Sequence, residues 1–402
     1  MRRIIAITIL LAILFSFNMA YAAEPTGTQK AAAEPTGTQK AAAELTGTQK
    51  AAAGTINTDK TTAAAINITS VIKADTVYTI VKLQEMAAGA SRRAMMDDVE
   101  IKKKDMAVRT VRSDSTAMSD SIRSVTRPME VKLELEAARK TKQDNLNKLR
   151  AEVYRAALSI QLSGKEIELQ EQKLAIANDK LEMAKARFRA AAITRDDLDS
   201  VQYSVDSCKV NLTGAREKLN SLYLELRSLL NQPLDTAPVK LEADLEPEAF
   251  EELDVDLALS SLYKNETSVF KASGKLDVAQ KAMEIASKLY REGDVTYDNC
   301  VSDLEEAKLD LAGAKTALEV KVRNAYNDMA NRLDNVELAV KYAELAGKKL
   351  ANAQVKYNRG TIGREAFLSA KEGSMDAEYA KFSAIADFNV SRMELRNMLE
   401  LE

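Results

Sequence analysis

Shifted by 169 residues, the second half of this chain falls on the first without a gap. Leu135-Glu136 meets Leu304-Glu305, Leu149 meets Leu318, Val153 meets Val322 and Ala156 meets Ala325. Further on, Phe188 meets Tyr357, Ile193 meets Ile362, Arg195 meets Arg364 and Asp196 meets Glu365. Glu225-Leu226-Arg227 meets Glu394-Leu395-Arg396, and Leu230 meets Leu399. A repeat of this length means one folding unit used twice, so whatever the first copy builds the second builds too.

The proline positions say what the unit is. Pro128 stands alone, Pro233, Pro238 and Pro247 cluster, and none occurs in 129–232 or 248–402. Proline costs about 3 kcal/mol inside a helix, so the clean windows permit very long helices. The first window has apolar or small residues at alternating steps of three and four. They run Leu146, Leu149, Val153, Ala156, Ile160, Ser163, Ile167, Gln170, Leu174, Ala177, Leu181, Ala184 and Phe188, then restart from Leu198 through Val205, Cys208, Leu212 and Leu226 to Leu229. Sustained heptads mean helices wrapped on partners. A helix from Glu130 to Phe188 is about 90 Å long at 1.5 Å per residue, too long for a globule. Ala, Leu, Glu, Lys and Arg dominate the composition, as they do in long helices.

The rhythm breaks at two matched places, "RFRAAAITRDDL" (187–198) and "KYNRGTIGREAF" (356–367). Small residues and glycine let the chain reverse, so both are read as hairpin tips. The second hairpin also carries Leu368, Met375 and Phe382, seven apart on another face. A helix with two apolar faces touches neighbours on both sides. The expected fold is all-α: two duplicated long antiparallel helical hairpins, spanning 67–232 and 255–402, with a linker at 233–254. "YREGDVTYDN" reads as a tight turn with Gly293 at its apex.

The N-terminus reads as an export signal over 1–22, with Arg2 and Arg3 ahead of an apolar Ile4–Phe17 and a cleavage site at Ala20-Tyr21-Ala22. A membrane anchor is the alternative. Residues 23–66 carry near-identical "AAEPTGTQKA" decapeptides and read as a disordered tail, a recently duplicated linker or a cell-wall spacer. The net charge of −3 supplies no basic field for nucleic acid. Histidine is absent and the two cysteines, Cys208 and Cys300, are far apart, so no histidine-based catalysis and no Cys/His metal set is available. Nucleotide-binding and hydrolase signatures are missing. No enzyme, cofactor or metal is expected.

The stretches "AKARFRAAAITRDDLDSVQYSVDSCKVNLTGAREKLNSLYLELRSLLN" and "ANAQVKYNRGTIGREAFLSAKEGSMDAEYAKFSAIADFNVSRMELRNMLE" resemble the two repeats of the TolC family of efflux ducts. "VDLALSSLYKNETSVFKASGKLDVAQKAMEIA" (255–286) is similar to that family's entry into its second half, so the likeness covers about 130–400. The resemblance implies homotrimers whose hairpins close into a hollow α-barrel in the cell envelope, at the periplasm or outer membrane. It implies tips that meet a periplasmic adaptor (membrane fusion) protein, joined to an inner-membrane transporter. Carried onto this sequence, the partner-binding tips are Ala191, Ile193, Thr194, Arg195 and Asp196, with Gly360, Thr361, Ile362, Gly363, Arg364 and Glu365.

Two departures stand out. Ala191 occupies a position where the family has glycine, which predicts a less sharply made first turn. The family also inserts a β-hairpin between paired helices, and membrane strands need about 9–11 alternating residues. Neither 112–128 nor 288–303 alternates or has the room, so the barrel hairpins are expected to be absent or vestigial. The lost strands and the repetitive tail favour an alternative, a non-conducting extracellular coiled-coil spacer.

Overall fold

The computed structural model describes residues 76–114, 121–235, 237–242, 245–249 and 254–399. The export signal, the decapeptide tail, residues 67–75 and the core of the first far-end junction lie outside them. Among the described residues are two three-residue strands and eight helices. In chain order these are β1 (Val77–Thr79), α1 (Ile80–Ala90), α2 (Arg92–Asp114), α3 (Ser121–Arg189), α4 (Arg195–Leu229), β2 (Lys240–Glu242), α5 (Val255–Asn265), α6 (Thr267–Leu289), α7 (Val295–Asn358) and α8 (Arg364–Met398).

The duplication is visible in the lengths. Helices α1 and α5 have 11 residues each, α2 and α6 have 23, and α4 and α8 have 35. The long helices α3 and α7 have 69 and 64. Even the single-residue breaks between short and long helices match. Ser91 has φ −64° and ψ 126°, and Glu266 has φ −65° and ψ 134°. The repeat therefore extends to α1 and α2, where a shift of 169 finds nothing. The offset there is 175 residues (92 to 267), and it falls to 169 only past the far-end turns (195 to 364).

Helix α3 begins before Pro128 and runs through it, although the sequence marks that proline as punctuation. Its first turns are packed on α2, burying Thr126 and Val131, and this packing outweighs one lost backbone bond. The heptad residues do what their spacing implies. Of the positions from Leu146 to Phe188, only Phe188 is exposed. In the first hairpin Leu149, Val153 and Ile160 pack with Leu226 and Leu230; in the second Leu318, Val322 and Met329 pack with Leu395 and Leu399. These are the same positions of the repeat.

The helices form a layer. In the half that holds the tips the order is α4, α3, α8, α7; in the far half it is α2, α3, α6, α7. Helix α8 packs on α7 with one face and on α3 with the other, as its two apolar faces require. Strands β1 and β2 pair in parallel, Tyr78 opposite Leu241, and tie the start of the first repeat to the linker. The second far-end junction is a turn at 290–294, with Gly293 at φ 87° and Asp294 capping α7 through the Thr296 N–H. No strand pair stands there.

Candidate functional site

The two tips lie side by side. Arg364 at the start of α8 reaches Asp179 of α3 at 2.8 Å, and Glu365 meets Arg187 at 3.2 Å. Each tip reverses the chain with the same hydrogen bonds. The Ala191 N–H donates to the Phe188 carbonyl and the Ala192 N–H to Arg187, both at 2.9 Å. The Gly360 N–H donates to Tyr357 and the Thr361 N–H to Lys356, again both at 2.9 Å. This is the Schellman arrangement, and it needs a left-handed residue. Ala191 supplies it at φ 55° and Gly360 at φ 72°. The first turn is thus as sharp as the second, contrary to the expectation for alanine. The hydrogen bonds and the helices on either side hold Ala191 in a region that costs an L-residue about 1–2 kcal/mol.

Beyond the turn the tips differ. Thr194 caps α4: the Asp197 N–H donates to Thr194 Oγ1 at 3.2 Å, and the Thr194 N–H donates to Asp197 Oδ2 at 2.9 Å. This reciprocal capping box satisfies two helix-end donors. The Thr194 hydroxyl, and then its N–H, hold the Asp197 carboxyl below the usual carboxylate range. At the matching position Gly363 offers α8 no side-chain cap. The second tip is braced instead by Tyr357 stacked on Phe367, ring centres 5.2 Å apart, and by the Thr361 hydroxyl donating to Lys356.

Every tip residue singled out in the sequence is exposed, except that Ile193 and Ile362 are half-buried at equivalent places. Arg364 and Glu365 bridge the two repeats. Arg195 turns back along its own helix to Asp199 at 3.1 Å. Sequence reasoning missed Asp179 and Arg187, whose charges look like any others on a solvated helix. It also missed Asp197, although Thr-x-x-Asp ahead of a heptad run is a legible capping signal.

Above the tips, ion pairs continue between α3 and α8. Lys180 meets Glu372 at 2.7 Å and Lys173 meets Asp376 at 2.6 Å. Lys165 lies over the Phe382 ring, and Arg155 pairs with Glu394. At mid-height a short piece of linker is fastened across the two repeats. The Asn389 side chain, 1% exposed, accepts from the Glu248 N–H at 3.0 Å and donates to the Glu246 carbonyl at 2.8 Å. Glu248 in turn accepts from Tyr154 of α3 at 2.6 Å and pairs with Arg392 of α8.

The layer has two open edges. On α4, Tyr203 is 77% and Val210 70% exposed, seven residues apart on one face. On α7, Leu309, Val320, Leu338 and Leu345 form one exposed stripe at helical spacing, with Leu338 at 66%. Met96, Val99 and Met106 are exposed on α2. No helix among the described residues is long and apolar enough to cross a membrane.

No protein-family model and no curated protein matches the sequence. Solved structures do. A membrane protein from Pseudomonas aeruginosa superposes with a TM-score of 0.64 at 14% identity, covering 80% of this chain and 90% of that one. The outer membrane protein VceC from Vibrio cholerae gives 0.61 at 12%, covering 80% and 95%. The Campylobacter jejuni CmeC outer membrane channel gives 0.61 at 10%, covering 82% and 88%. At these identities the likeness is one of fold. The chain has the TolC-like helical-hairpin fold found in outer-membrane channels.

Proposed function

We propose that this protein is a passive conduit subunit of an efflux or type I secretion assembly in the cell envelope. The reading rests above all on the two open edges of the helical layer. Tyr203 and Val210 on one side, and Leu338 and Leu345 on the other, are apolar groups that a single copy leaves in water. Different patches on opposite edges suit head-to-tail association, and a rotation that closes gives a ring. Three copies make a hollow duct of helices, the arrangement its fold relatives' likeness suggests. The tips meet a periplasmic adaptor (membrane fusion) protein, which joins the duct to an inner-membrane transporter. The transporter supplies the energy. The duct itself performs no chemistry and opens by shifts at the tips.

The test is to charge both edges. Val210→Glu combined with Leu338→Glu lies on exposed faces and leaves helicity intact. It is expected to abolish self-association and cargo export together. Export at the native level with the edges charged would contradict the conduit. The short turn at 290–294, which joins α6 to α7 without strands, favours the second reading, a coiled-coil spacer. A spacer predicts that deleting the gene leaves export unchanged.

A further inference from the structure

The far half of the layer contains a cavity of about 750 Å³, of the size that holds drug-sized ligands. Helices α3 and α6 make its floor, and α2 and α7 make its walls. The floor is apolar, with Leu133 and Val278, and is cut low by the small residues Ala137, Ala279 and Ala282. Gly274 brings α6 against α3, since a Cβ there would lie 2.2 Å from a Leu133 methyl. The rim is negative. Seven carboxylate side chains line the space against three lysines.

Part of that charge is already neutralised. Lys104 is tied to Glu134 at 2.9 Å and Glu100 at 3.8 Å, and Lys275 to Asp310 at 3.6 Å. Asp97 on the α2 wall accepts from the Asn145 amide and pairs with no cation among the described residues. Asp303 and Glu306, one helical turn apart on the α7 wall, have no basic partner among the described residues. Arg127 pairs with Glu130 at 3.0 Å, and Lys271 on α6 stands without an ion pair among the described residues, so the space keeps a net excess of three carboxylates. Uncompensated carboxylates thus face the cavity from two separate walls over an apolar floor.

We propose that this cavity binds a lipophilic organic cation, with its rings on the alanine and leucine floor and its charge between Asp97 and the Asp303–Glu306 pair. The alternatives fit less well. A polyamine has charge but leaves the floor in water, and a fatty acid meets the wrong sign. A metal ion lacks a site, because no three ligands converge among the described residues. The proposal stands on this cavity alone and is independent of the conduit reading.

The test titrates tetraphenylphosphonium into the full exported chain by calorimetry, with triphenylphosphine oxide as the neutral comparator. One saturable site per chain is expected. Ala282→Phe, which fills the floor, should weaken binding about tenfold or more. The isosteric pair Asp303→Asn with Glu306→Gln, on exposed positions that spare the fold, should weaken it by about tenfold. Triphenylphosphine oxide should bind at least as weakly as the cation does to that double variant. Failure of the native chain to bind the cation saturably would overturn the proposal. So would equal affinity for the neutral comparator, or binding that neither variant changes.

Discussion

Helix α3 meets the second repeat twice, and the two meetings are built differently. In the far half it packs on α6 with the Leu133 side chain seated against Gly274, an apolar contact that uses no ion pair. In the tip half it faces α8 across Lys173, Lys180, Arg187 and their carboxylate partners, all partly exposed. Exposed ion pairs are worth about 0–1 kcal/mol each and weaken with salt. The packing of Leu133 on Gly274 is apolar and does not weaken with salt. Between the halves, Asn389, Tyr154 and Arg392 fasten the linker across both repeats. Hence the repeats are joined firmly at one end and by a hydrated, charge-matched seam at the other. A motion that parts the tips disrupts the weaker seam only.

Substitutions at each level should rank accordingly. The largest effect is expected at the fastening. Asn389→Ala strands the Glu248 N–H and the Glu246 carbonyl, and a loss of about 3 kcal/mol in urea unfolding is expected. Gly274→Val drives a branched side chain into Leu133 and should cost about 2 kcal/mol by the same measurement. At the tips the effects shrink. Gly360→Ala meets open space, so only its left-handed backbone matters, and about 1 kcal/mol should be lost. Ala191→Gly should return about the same amount. Two equal losses would mean that the two turns are not equivalent. Smallest is Lys180→Glu, with a loss below about 1 kcal/mol that fades in high salt and is reversed by adding Glu372→Lys.

A titration sharpens the same contrast. Burial between α3 and α8, and then the nearby Glu166 carboxylate, push the Tyr379 phenol from 10.0 up to about 12. The folded state therefore holds that proton more tightly than the unfolded chain. Its contribution is complete below about pH 10 and is lost as pH rises toward 12. Phenolate absorbance should show a titration near pH 12 that Tyr379→Phe removes. A Tyr379 midpoint at the ordinary value would mean that the seam is wetter than described.

The hairpins were legible because heptads and prolines are period and punctuation, which survive without side-chain detail. The tips were legible because Ile193 and Ile362, or Arg195 and Arg364, sit at one offset. The equivalence of α1–α2 with α5–α6 was hidden, since α3 is longer than α7, with 69 residues against 64, and the far-end junction before it is one residue longer, which moves the offset to 175. The cross-repeat pairs were hidden for another reason. Lys173 or Asp179 has the look of any solvated charge until α8 is beside it. The fastening was equally silent, because Asn389 and Glu248 are 141 positions apart and belong to no motif.

The most direct test of the whole account is the mass of the exported chain by light scattering, with electron microscopy of the same peak. Three chains per particle, seen end-on as a ring with an open centre, is the expected result. A monomer, or a solid rod with no lumen, would contradict it.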